Sequence, residues 1–421
     1  MIARASVVIV SRGRPGPLAL CLQALALQDH PSFEIILVAD PAGMALPCDL
    51  PLKRVGFDRA NISEARNLGI AQAAGDVIAF IDDDAVAEPG WLSGLSAPFA
   101  NPQVIAATGW TRGTCGFRWQ TQAARIDASG VARRITPEPQ TRLLAPENGA
   151  PVSTLGTNCA FRATHLRAIG GFDPVFAYHL DESDVNLRMS VAFPKGLTAI
   201  VPMAQVIHMR AGSALRNAAS VPVDLSLTGR SAAIFARRHD APVPPDAALL
   251  GQNRKRLIRH MLDGRLDPQG VAPLMQTLKA GLAEGHAMAL PPPPRPRDDR
   301  PPPFRPVPQG APRGHLLLSG WHWQAIRLRE RAALATAGGQ IVTVILLSPT
   351  LLPHRLGLTE GGWFEQIGGL WGPSEPGDPA FTPWRLRDRL ARESLLTINR
   401  RNPPALPASA APGLSQGTEL A

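Results

Sequence analysis

The chain has 421 residues, of which 45% are hydrophobic and 18% are charged. This balance excludes a wholly disordered chain, and the length allows one large domain with additional segments. The net charge of +9 depends on arginine, because only Lys53, Lys195, Lys255 and Lys279 are lysines. An anionic substrate or a membrane surface explains this charge as well as nucleic acid does, and we expect no nucleic-acid partner.

The cysteines and the hydropathy pattern indicate a reducing compartment. Cys21, Cys48, Cys115 and Cys159 match no metal-binding or disulfide pattern. No run of about 18 or more apolar residues is present, and the first residues do not resemble a signal peptide. We therefore expect a cytoplasmic protein that makes a peripheral contact with the inner face of the plasma membrane.

Strand and helix signals alternate from the start of the chain. Continuous apolar runs predict buried strands at 6–10, 35–38 and 77–81. Helical spacing predicts a helix near 18–25 and another over 63–74 that ends at Gly75. Strands joined by helices predict an α/β fold with a parallel sheet. Ligands of such sheets bind beyond the carboxyl ends of the strands, so the polar residues that follow each strand are the candidates.

The third strand leads directly into Asp82, Asp83 and Asp84. Three adjacent carboxylates repel one another unless a cation or a donor-rich ligand lies beside them. Alternation along the chain places Asp82 and Asp84 on one side and Asp83 on the other. Oxygen ligands favour Mg2+ or Mn2+, which also bind ligand phosphates. A solvated acidic turn is the alternative, but the position after a buried strand favours a metal site.

Two further polar residues follow predicted strands. Asp40 either accepts hydrogen bonds from a base or ribose, or forms the turn before Pro41. His208 follows a predicted strand at 201–207, and is either a metal ligand or an ordinary core histidine. Arg66 and Asn67 lie on the helix before the aspartate triplet, and a surface role for Arg66 is equally open.

A second acidic cluster, Asp181, Glu182 and Asp184, precedes residues with helical spacing. Helix capping and the helix dipole explain carboxylates at a helix start without any further function. The functional alternative is a general base, with Glu182 held ionised and Asp184 serving the structure. Trp110, Thr157 and Asn158 carry no decisive chemistry of their own.

Taken in order, these motifs resemble the family 2 glycosyltransferases of the GT-A fold over residues 4–210. The segments that carry the resemblance are 6–15, 34–40, 63–70, 80–84, 158–162, 170–173 and 181–188. The sequence departs from the family pattern at Ala39, where an acid is usual, and at Glu182, where most members have aspartate. The opening loop also lacks the usual Thr-x-Asn.

The resemblance implies an inverting transfer from a nucleotide-diphosphate sugar to a glycan or lipid-linked acceptor, with Mg2+ or Mn2+. Asp84 would bind the metal, with Asp82 and His208 as further ligands. The base would be Glu182 or Asp181. The donor would contact Ser11, Arg14, Asp40, Arg66, Asn67, Asp82 and Asp83. The acceptor side would include Trp110, Thr157, Asn158 and Asp184.

Composition divides the rest of the chain. We predict a GT-A domain over 1–215, a helical extension packed on it over 216–288, a proline-rich linker over 289–313, a small α/β unit over 314–400 and a disordered tail over 401–421. Residues 291–312 contain eleven prolines, which predicts an extended, solvated linker. The small unit is predicted to be a single βαβ motif, with Trp321, Trp323, Trp363 and Trp371 as candidate docking anchors. Basic residues near 254–260 either face solvent or contact anionic lipid or a phosphate-bearing carrier.

Two other functions remain open from the sequence. A GT-A-like nucleotidyltransferase usually has a glycine-rich phosphate loop with a downstream lysine, and the loop over 12–16 has no such lysine. An inactive nucleotide-sugar-fold scaffold would use the proline-rich segment and the C-terminal unit for interactions. The intact aspartate triplet and Glu182 argue against that scaffold.

Overall fold

The structure is a computed structural model that describes residues 3–212, 215–217, 219–242, 244–310 and 313–401. The predicted tail lies outside the described residues, except for Arg401. The first elements are β1 (Ala5–Ser11), α1 (Pro15–Leu25), β2 (Phe33–Ala39), α2 (Pro41–Met44), β3 (Leu52–Gly56), α3 (Ile62–Gln72), β4 (Val77–Asp82), β5 (Ala85–Ala87) and α4 (Trp91–Ser96).

These elements form the parallel half of a mixed sheet, in the order β3-β2-β1-β4. Every residue of β2 is buried, as expected for an apolar strand with helices on both faces of its sheet. The α/β class predicted from the sequence is confirmed. The predicted helix end at Gly75 is wrong, because α3 ends at Gln72. A Cβ atom at Gly75 would lie 2.7 Å from the Ser6 nitrogen, so this glycine permits close packing rather than capping a helix.

The sheet continues with strands of mixed direction. The next elements along the chain are β6 (Val104–Arg112), β7 (Trp119–Thr121), β8 (Ala124–Ile126), β9 (Ala132–Arg134), β10 (Arg142–Leu144), β11 (Cys159–Arg162), α5 (Ala163–Ala168), α6 (Asp181–Ala192) and β12 (Leu197–His208). Strands β8 and β9 form a separate two-stranded sheet. Strand β11 runs antiparallel between β4 and β6, and β12 runs parallel to β6. Strand β5 pairs with the end of β12, so Ala85 lies opposite His208.

Three helices follow the sheet: α7 (Ser226–Arg238), α8 (Asp246–Leu262) and α9 (Val271–Ala287). Phe235 of α7 packs with Phe176 and Leu187 in one buried cluster, which attaches α7 to the region around α6. On α8, Arg254, Lys255 and Arg259 are exposed. Among the described helices, none combines the length and the apolar character needed to cross a bilayer.

The C-terminal unit is larger than the predicted single βαβ motif. It contains β13 (His315–Trp321), α10 (Ala325–Ala337), β14 (Ile341–Ser348), β15 (Arg355–Leu358), β16 (Phe364–Gly369) and α11 (Leu386–Arg401). The sheet order is β13-β14-β16-β15, with only β15 antiparallel to its neighbour. One face of β14 packs against α10 and the other face packs against Trp384, Leu386 and Leu390, so the unit encloses two apolar clusters.

The C-terminal unit docks on the large sheet through residues other than the predicted tryptophans. Leu356, Leu358 and Phe364 belong to the same buried cluster as Leu25 and Phe33. Trp321 and Trp371 instead pack inside the unit, and Trp323 is 65% exposed. Trp363 packs against the cluster beside α10, so three of the four predicted anchors contribute to the unit's own core.

The proline-rich segment is extended but packed on the large sheet, which corrects the expectation of a solvated linker. Lys53 donates to the Pro302 carbonyl at 3.2 Å, and the Arg305 N–H donates to Glu34 Oε2 at 2.9 Å. Val307 is buried, and its N–H donates to the Phe33 carbonyl. Prolines lack N–H groups but keep their carbonyls, so an extended segment of this composition still accepts hydrogen bonds.

Candidate functional site

Parallel strands bring three of the predicted residues to one edge of the sheet. Ser11 at the end of β1 pairs with Ala39, which precedes Asp40, and Val10 pairs with Asp82 at the end of β4. Because the carboxyl ends of parallel strands lie together, the polar residues that follow them converge there. This edge is where the candidate site is built.

Asp82, Asp84 and His208 form one cluster at this edge. Each offers a ligand atom within 4.8 Å of the others. His208 Nε2 lies 3.2 Å from Asp84 Oδ1 and 3.9 Å from Asp82 Oδ2. Strand β12 carries His208, and β4 with the turn after it carries the two aspartates, so two segments distant in sequence supply one set of oxygen and nitrogen donors.

Asp83 points away from this cluster, as the alternation of side chains along a strand requires. Its Oδ2 accepts from Ser11 Oγ at 2.7 Å and from Arg14 Nε at 3.1 Å. Burial raises the pKa of Asp83 to about 7. Ser11, Arg14 and Asp83 thus fix the opening loop against the aspartate turn.

Arginines compensate the charge of the aspartate triplet. Asp84 Oδ2 accepts from Arg14 and Arg216, each at 3.1 Å, and from the Ala211 N–H at 2.8 Å. Although burial opposes ionisation, His208 when it carries a proton on Nε2, together with Arg14 and Arg216, lowers the pKa of Asp84 to about 2. Repulsion among the carboxylates is therefore offset by protein groups, so repulsion alone is no argument for a metal.

The argument for a metal comes from two unpaired atoms. Within the described part of the chain, Asp84 Oδ1 and His208 Nε2 are buried and have no hydrogen-bond partner. Gln120 Oε1 lies 3.1 Å from His208 Nδ1, so in the tautomer with its proton on Nδ1 the ring donates to Gln120 and presents the Nε2 lone pair to Asp84. A carboxylate oxygen and a ring nitrogen then face each other as two acceptors. A divalent cation between them satisfies both, and the oxygen and nitrogen donor set suits Mn2+ or Mg2+.

Arg66 connects the aspartate cluster to the second acidic cluster. Its guanidinium contacts Asp181 directly and lies 3.4 Å from Asp82 Oδ1 and 3.9 Å from Glu182 Oε2. The Arg66 side chain is only 5% exposed, so it is not the surface residue that the sequence left open.

Glu182 is the more accessible of the two predicted bases. Its side chain is 19% exposed, against 5% for Asp181. Although burial opposes ionisation, Arg66 and the Gly156 N–H, 3.1 Å from Oε1, hold the pKa of Glu182 below its usual value. Asp181 contacts Arg66 directly, whereas Glu182 lies 3.9 Å from it, and both carboxylates line one cavity.

This cavity has a volume of about 180 Å3 and joins the two clusters. Its lining includes Arg66, Asp82, Glu182 and His208. His179 and Leu180 both adopt left-handed backbone conformations immediately before α6. Such conformations cost about 1–3 kcal/mol each for residues other than glycine and are concentrated at functional sites. The strained turn directs the start of α6 to the cavity.

Two predicted donor-binding residues serve the loops around the site. Asp40 Oδ2 and Oδ1 accept from the Gly13 and Gly43 N–H groups, so Asp40 caps α2 and holds the opening loop. Asn67 exchanges two hydrogen bonds with the backbone of Phe172 and is not in the cavity lining. The structure therefore gives both side chains a structural explanation.

The predicted acceptor-side residues divide in the same way. Asn158 is buried and bonds Trp91, Trp110 and Ala204, and Asp184 is buried between Arg188 and His239. These two side chains brace the core. Thr157 lines the cavity, and its buried Oγ1 has no partner among the described residues. Trp110 packs edge-on against Trp119 at 4.9 Å.

No motif in the sequence indicated roles for Gln120, Gly156 and Arg216. Gln120 and Arg216 lie in segments that carry no recognisable motif, and their roles depend on contacts with residues more than eighty positions away. The polar stretch over 156–158 was noted, but the contact between the Gly156 N–H and Glu182 depends on backbone geometry.

One family model matches the first part of the chain. Residues 6–170 match the model of the family described as Glycosyl transferase family 2, which confirms the family that the motifs predicted for this region. Comparison with curated proteins returns no match.

Three solved structures that the fold resembles are distant in sequence. GalNAc-T7 with UDP, GalNAc and Mn2+ is 17% identical at a TM-score of 0.39, over 49% of this chain and 44% of that one. The mannosyltransferase PcManGT from Pyrobaculum calidifontis, in complex with GDP-Man and Mn2+, is 16% identical at a TM-score of 0.40. The match covers 68% of this chain and 87% of that one. TarS of S. aureus is 15% identical at a TM-score of 0.38, and the match covers 67% of this chain and 54% of that one. The chain thus spans less than half the length of the GalNAc-T7 structure.

Proposed function

We propose that the chain is a metal-dependent, inverting glycosyltransferase that moves a sugar from a nucleotide-diphosphate donor to a hydroxyl of a glycan or lipid-linked acceptor. The observation that carries the proposal is the unpaired Asp84 Oδ1 and His208 Nε2 pair, which lies in the same cluster as Asp82. The family match over residues 6–170 supports the reaction class.

The donor diphosphate would lie at the carboxyl edge of β1 and β4. Asp82, Asp84 and His208 would hold the divalent cation, which would stabilise the negative charge that grows on the leaving diphosphate. Arg14, Arg66 and Arg216 add positive charge at the same edge. Four of the predicted donor-binding residues would support the donor indirectly, by holding the loops around it: Ser11, Asp40, Asn67 and Asp83.

Glu182 would remove the proton of the acceptor hydroxyl. In an inverting transfer the hydroxyl attacks the anomeric carbon from the face opposite the leaving group, so one carboxylate within hydrogen-bond reach is enough. Arg66 keeps Glu182 ionised and is itself fixed by Asp181. Asp181 would therefore position Arg66, while Glu182 would act on the acceptor.

A screen of nucleotide sugars tests this function. Purified protein would be incubated with UDP-, GDP- and CMP-sugars in Mn2+, in Mg2+ and in chelator, and the release of nucleotide would be measured. We expect turnover of a diphosphate donor that stops in chelator, and a product whose anomeric configuration is inverted by NMR. Equal turnover in chelator would show that the reaction needs no metal. A retained anomeric configuration would contradict direct attack of the acceptor hydroxyl on the anomeric carbon.

A further inference from the structure

A second and larger cavity, of about 1230 Å3, lies between the large sheet and the C-terminal unit. Trp119 and Gln120 on β7 form part of one wall, and Arg355 on β15 and Ile367 on β16 form part of the other. Typical small-molecule sites measure about 300–1,000 Å3. The cavity therefore has room for a small organic ligand. Of the described residues, none lines both this cavity and the smaller one beside the aspartate cluster.

The carboxylates that line the large cavity are neutralised from outside it. Each of the three forms an ion pair with an arginine that is not part of the lining: Glu365 with Arg329, Glu375 with Arg400, and Asp378 with Arg392. The carboxylate side chains are 11%, 20% and 22% exposed, so these pairs are partly shielded from water. The three carboxylates therefore do not compensate positive charge inside the cavity.

The three arginines of the lining have no such partners. Among the described residues, the guanidinium groups of Arg118, Arg210 and Arg355 form neither an ion pair nor a hydrogen bond. Arg210 Nε is buried and lacks an acceptor within this part of the chain. A buried donor without an acceptor destabilises the folded state unless a ligand or a water molecule accepts from it. Three positive charges are thus available to a ligand.

Arg118 and Arg355 lie beside one contact between the two walls. The Leu356 N–H donates to the Cys115 carbonyl at 2.9 Å, and Arg355 directly precedes Leu356. The Gly113 N–H donates to the Arg118 carbonyl at 2.8 Å, which closes the turn that contains Cys115. The large sheet and the C-terminal unit therefore each supply one of these two arginines at the same junction.

Arg210 reaches this junction from the end of β12. Gln120 Oε1 lies 3.1 Å from His208 Nδ1, and Arg118 and Arg210 are each two residues from this contact. Arg210 also has a left-handed backbone, with a φ of 54°. Such backbone conformations are strained for residues other than glycine and are concentrated at functional sites. The three arginines therefore form one cluster on one side of the cavity.

The chemistry of this arginine cluster indicates a ligand that bears phosphate. A guanidinium group is planar and permanently charged, and it donates two parallel hydrogen bonds to an oxyanion. A single carboxylate would leave most of the charge of three arginines unmatched, whereas a diphosphate comes close to balancing it. Phe117, Leu352 and Ile367 add apolar surface to the lining, which accommodates an organic group attached to the diphosphate.

We propose that the large cavity binds an organic diphosphate through Arg118, Arg210 and Arg355, at a site separate from the donor site. The proposal does not depend on glycosyl transfer, so it is tested independently of the proposed function. The family match ends at residue 170 and includes neither Arg210 nor Arg355. The diphosphate belongs either to a soluble molecule or to a lipid head group, and the experiment separates these two sources.

Two matched double substitutions in the full chain test the proposal. The cavity variant is Arg118→Ala with Arg355→Ala, and the helix variant is Arg327→Ala with Arg331→Ala. All four arginines are exposed, and the second pair lies on α10 outside the lining, so both variants remove the same charge at exposed positions. Calorimetry with inorganic pyrophosphate would be performed in chelator and without nucleotide. We expect equal affinity in the unsubstituted protein and the helix variant, and at least tenfold weaker binding by the cavity variant.

Two further probes identify the source of the diphosphate. Geranyl diphosphate in solution and polyprenyl diphosphate in phosphatidylcholine vesicles carry the same charged group, and vesicles of phosphatidylcholine alone are the control. Binding of either probe that is weakened in the cavity variant and kept in the helix variant supports the site and assigns the source.

Three results would overturn the proposal. The first is a lack of pyrophosphate binding by the unsubstituted protein, and the second is equal binding by all three proteins. The third concerns the Mn2+-dependent binding of UDP or GDP, which should be unchanged in the cavity variant. Its loss there would place Arg118 and Arg355 in the donor site and contradict a separate site.

Discussion

Arg401 and Glu88 form a buried ion pair across 313 positions of sequence. Arg401 Nη2 donates to Glu88 Oε1 at 3.0 Å, and the two side chains are 0% and 2% exposed. Glu88 follows β5, four residues after Asp84, and Arg401 ends α11 and lies over the Phe364 ring at 3.8 Å. The last described residue of the C-terminal unit is therefore bound to the segment that follows the aspartate triplet and β5.

We expect Glu88→Gln to destabilise the protein by about 3–5 kcal/mol, because it leaves the Arg401 charge buried without its partner. The double variant Glu88→Gln with Arg401→Met should cost less than the sum of the two single changes. Chemical denaturation of all three variants checks this. Asp76→Asn breaks the exposed Arg4–Asp76 pair and serves as the control, with a cost within about 1 kcal/mol. Additive costs for Glu88 and Arg401 would contradict the coupling.

His315 should make stability depend on pH near this pair. Burial and the Arg401 charge lower the pKa of His315 to about 4. Thr343 Oγ1 accepts from Arg401 and lies 3.0 Å from His315 Nε2, where it donates to the neutral ring. The folded chain therefore binds fewer protons than the unfolded chain between pH 6.5 and about 4.

The stability contributed by neutral His315 is present above pH 6.5 and is lost as the pH falls to about 4. We expect the melting temperature of the unsubstituted protein to fall more steeply across this range than that of His315→Gln. Melting curves at several pH values check the difference. Parallel curves for the two proteins would contradict it.

The parallel half of the fold could be predicted because its strands are continuous apolar runs and its helices keep one periodicity. Asp82 and Asp84 were identified for the same reason, since a strand end fixes their position. The C-terminal strands β15 and β16 were missed because they are short and contain or adjoin Gly357, Gly362 and Gly368. Nothing local distinguishes Gln120 from other polar residues, because its role exists only once β7 pairs with β6 and Gln120 contacts His208.

Gln120→Ala should weaken metal binding without unfolding the protein. Loss of the Gln120 acceptor releases the His208 ring, and the loss of such orienting partners typically costs about 10–100-fold in metal affinity. Calorimetric titration with Mn2+ in the presence of a nucleotide diphosphate measures the effect. The control is Gln103→Ala, at an exposed position. Unchanged Mn2+ affinity in Gln120→Ala would show either that His208 is not a metal ligand or that Gln120 does not orient it.

Glu182→Gln should abolish transfer and spare donor binding. A general base contributes about 10²–10⁴-fold to the rate and acts only on the acceptor, so kcat should fall while the donor Kd is kept. Steady-state transfer rates and calorimetry with the donor separate these two quantities. Asp181→Asn is the matched variant, and we expect it to disturb donor binding through Arg66. Full transfer in Glu182→Gln with loss in Asp181→Asn would move the base to Asp181.

The central claim, a divalent cation held by Asp82, Asp84 and His208 for a diphosphate donor, is tested most directly by calorimetry with UDP and GDP in Mn2+ and in chelator. We predict binding of at least one nucleotide diphosphate in Mn2+ and its loss in chelator. Asp84→Asn should weaken that binding in a protein that remains folded by circular dichroism. Equal affinity with and without the metal, or an Asp84→Asn protein that simply unfolds, would show instead that the aspartate triplet is a structural turn.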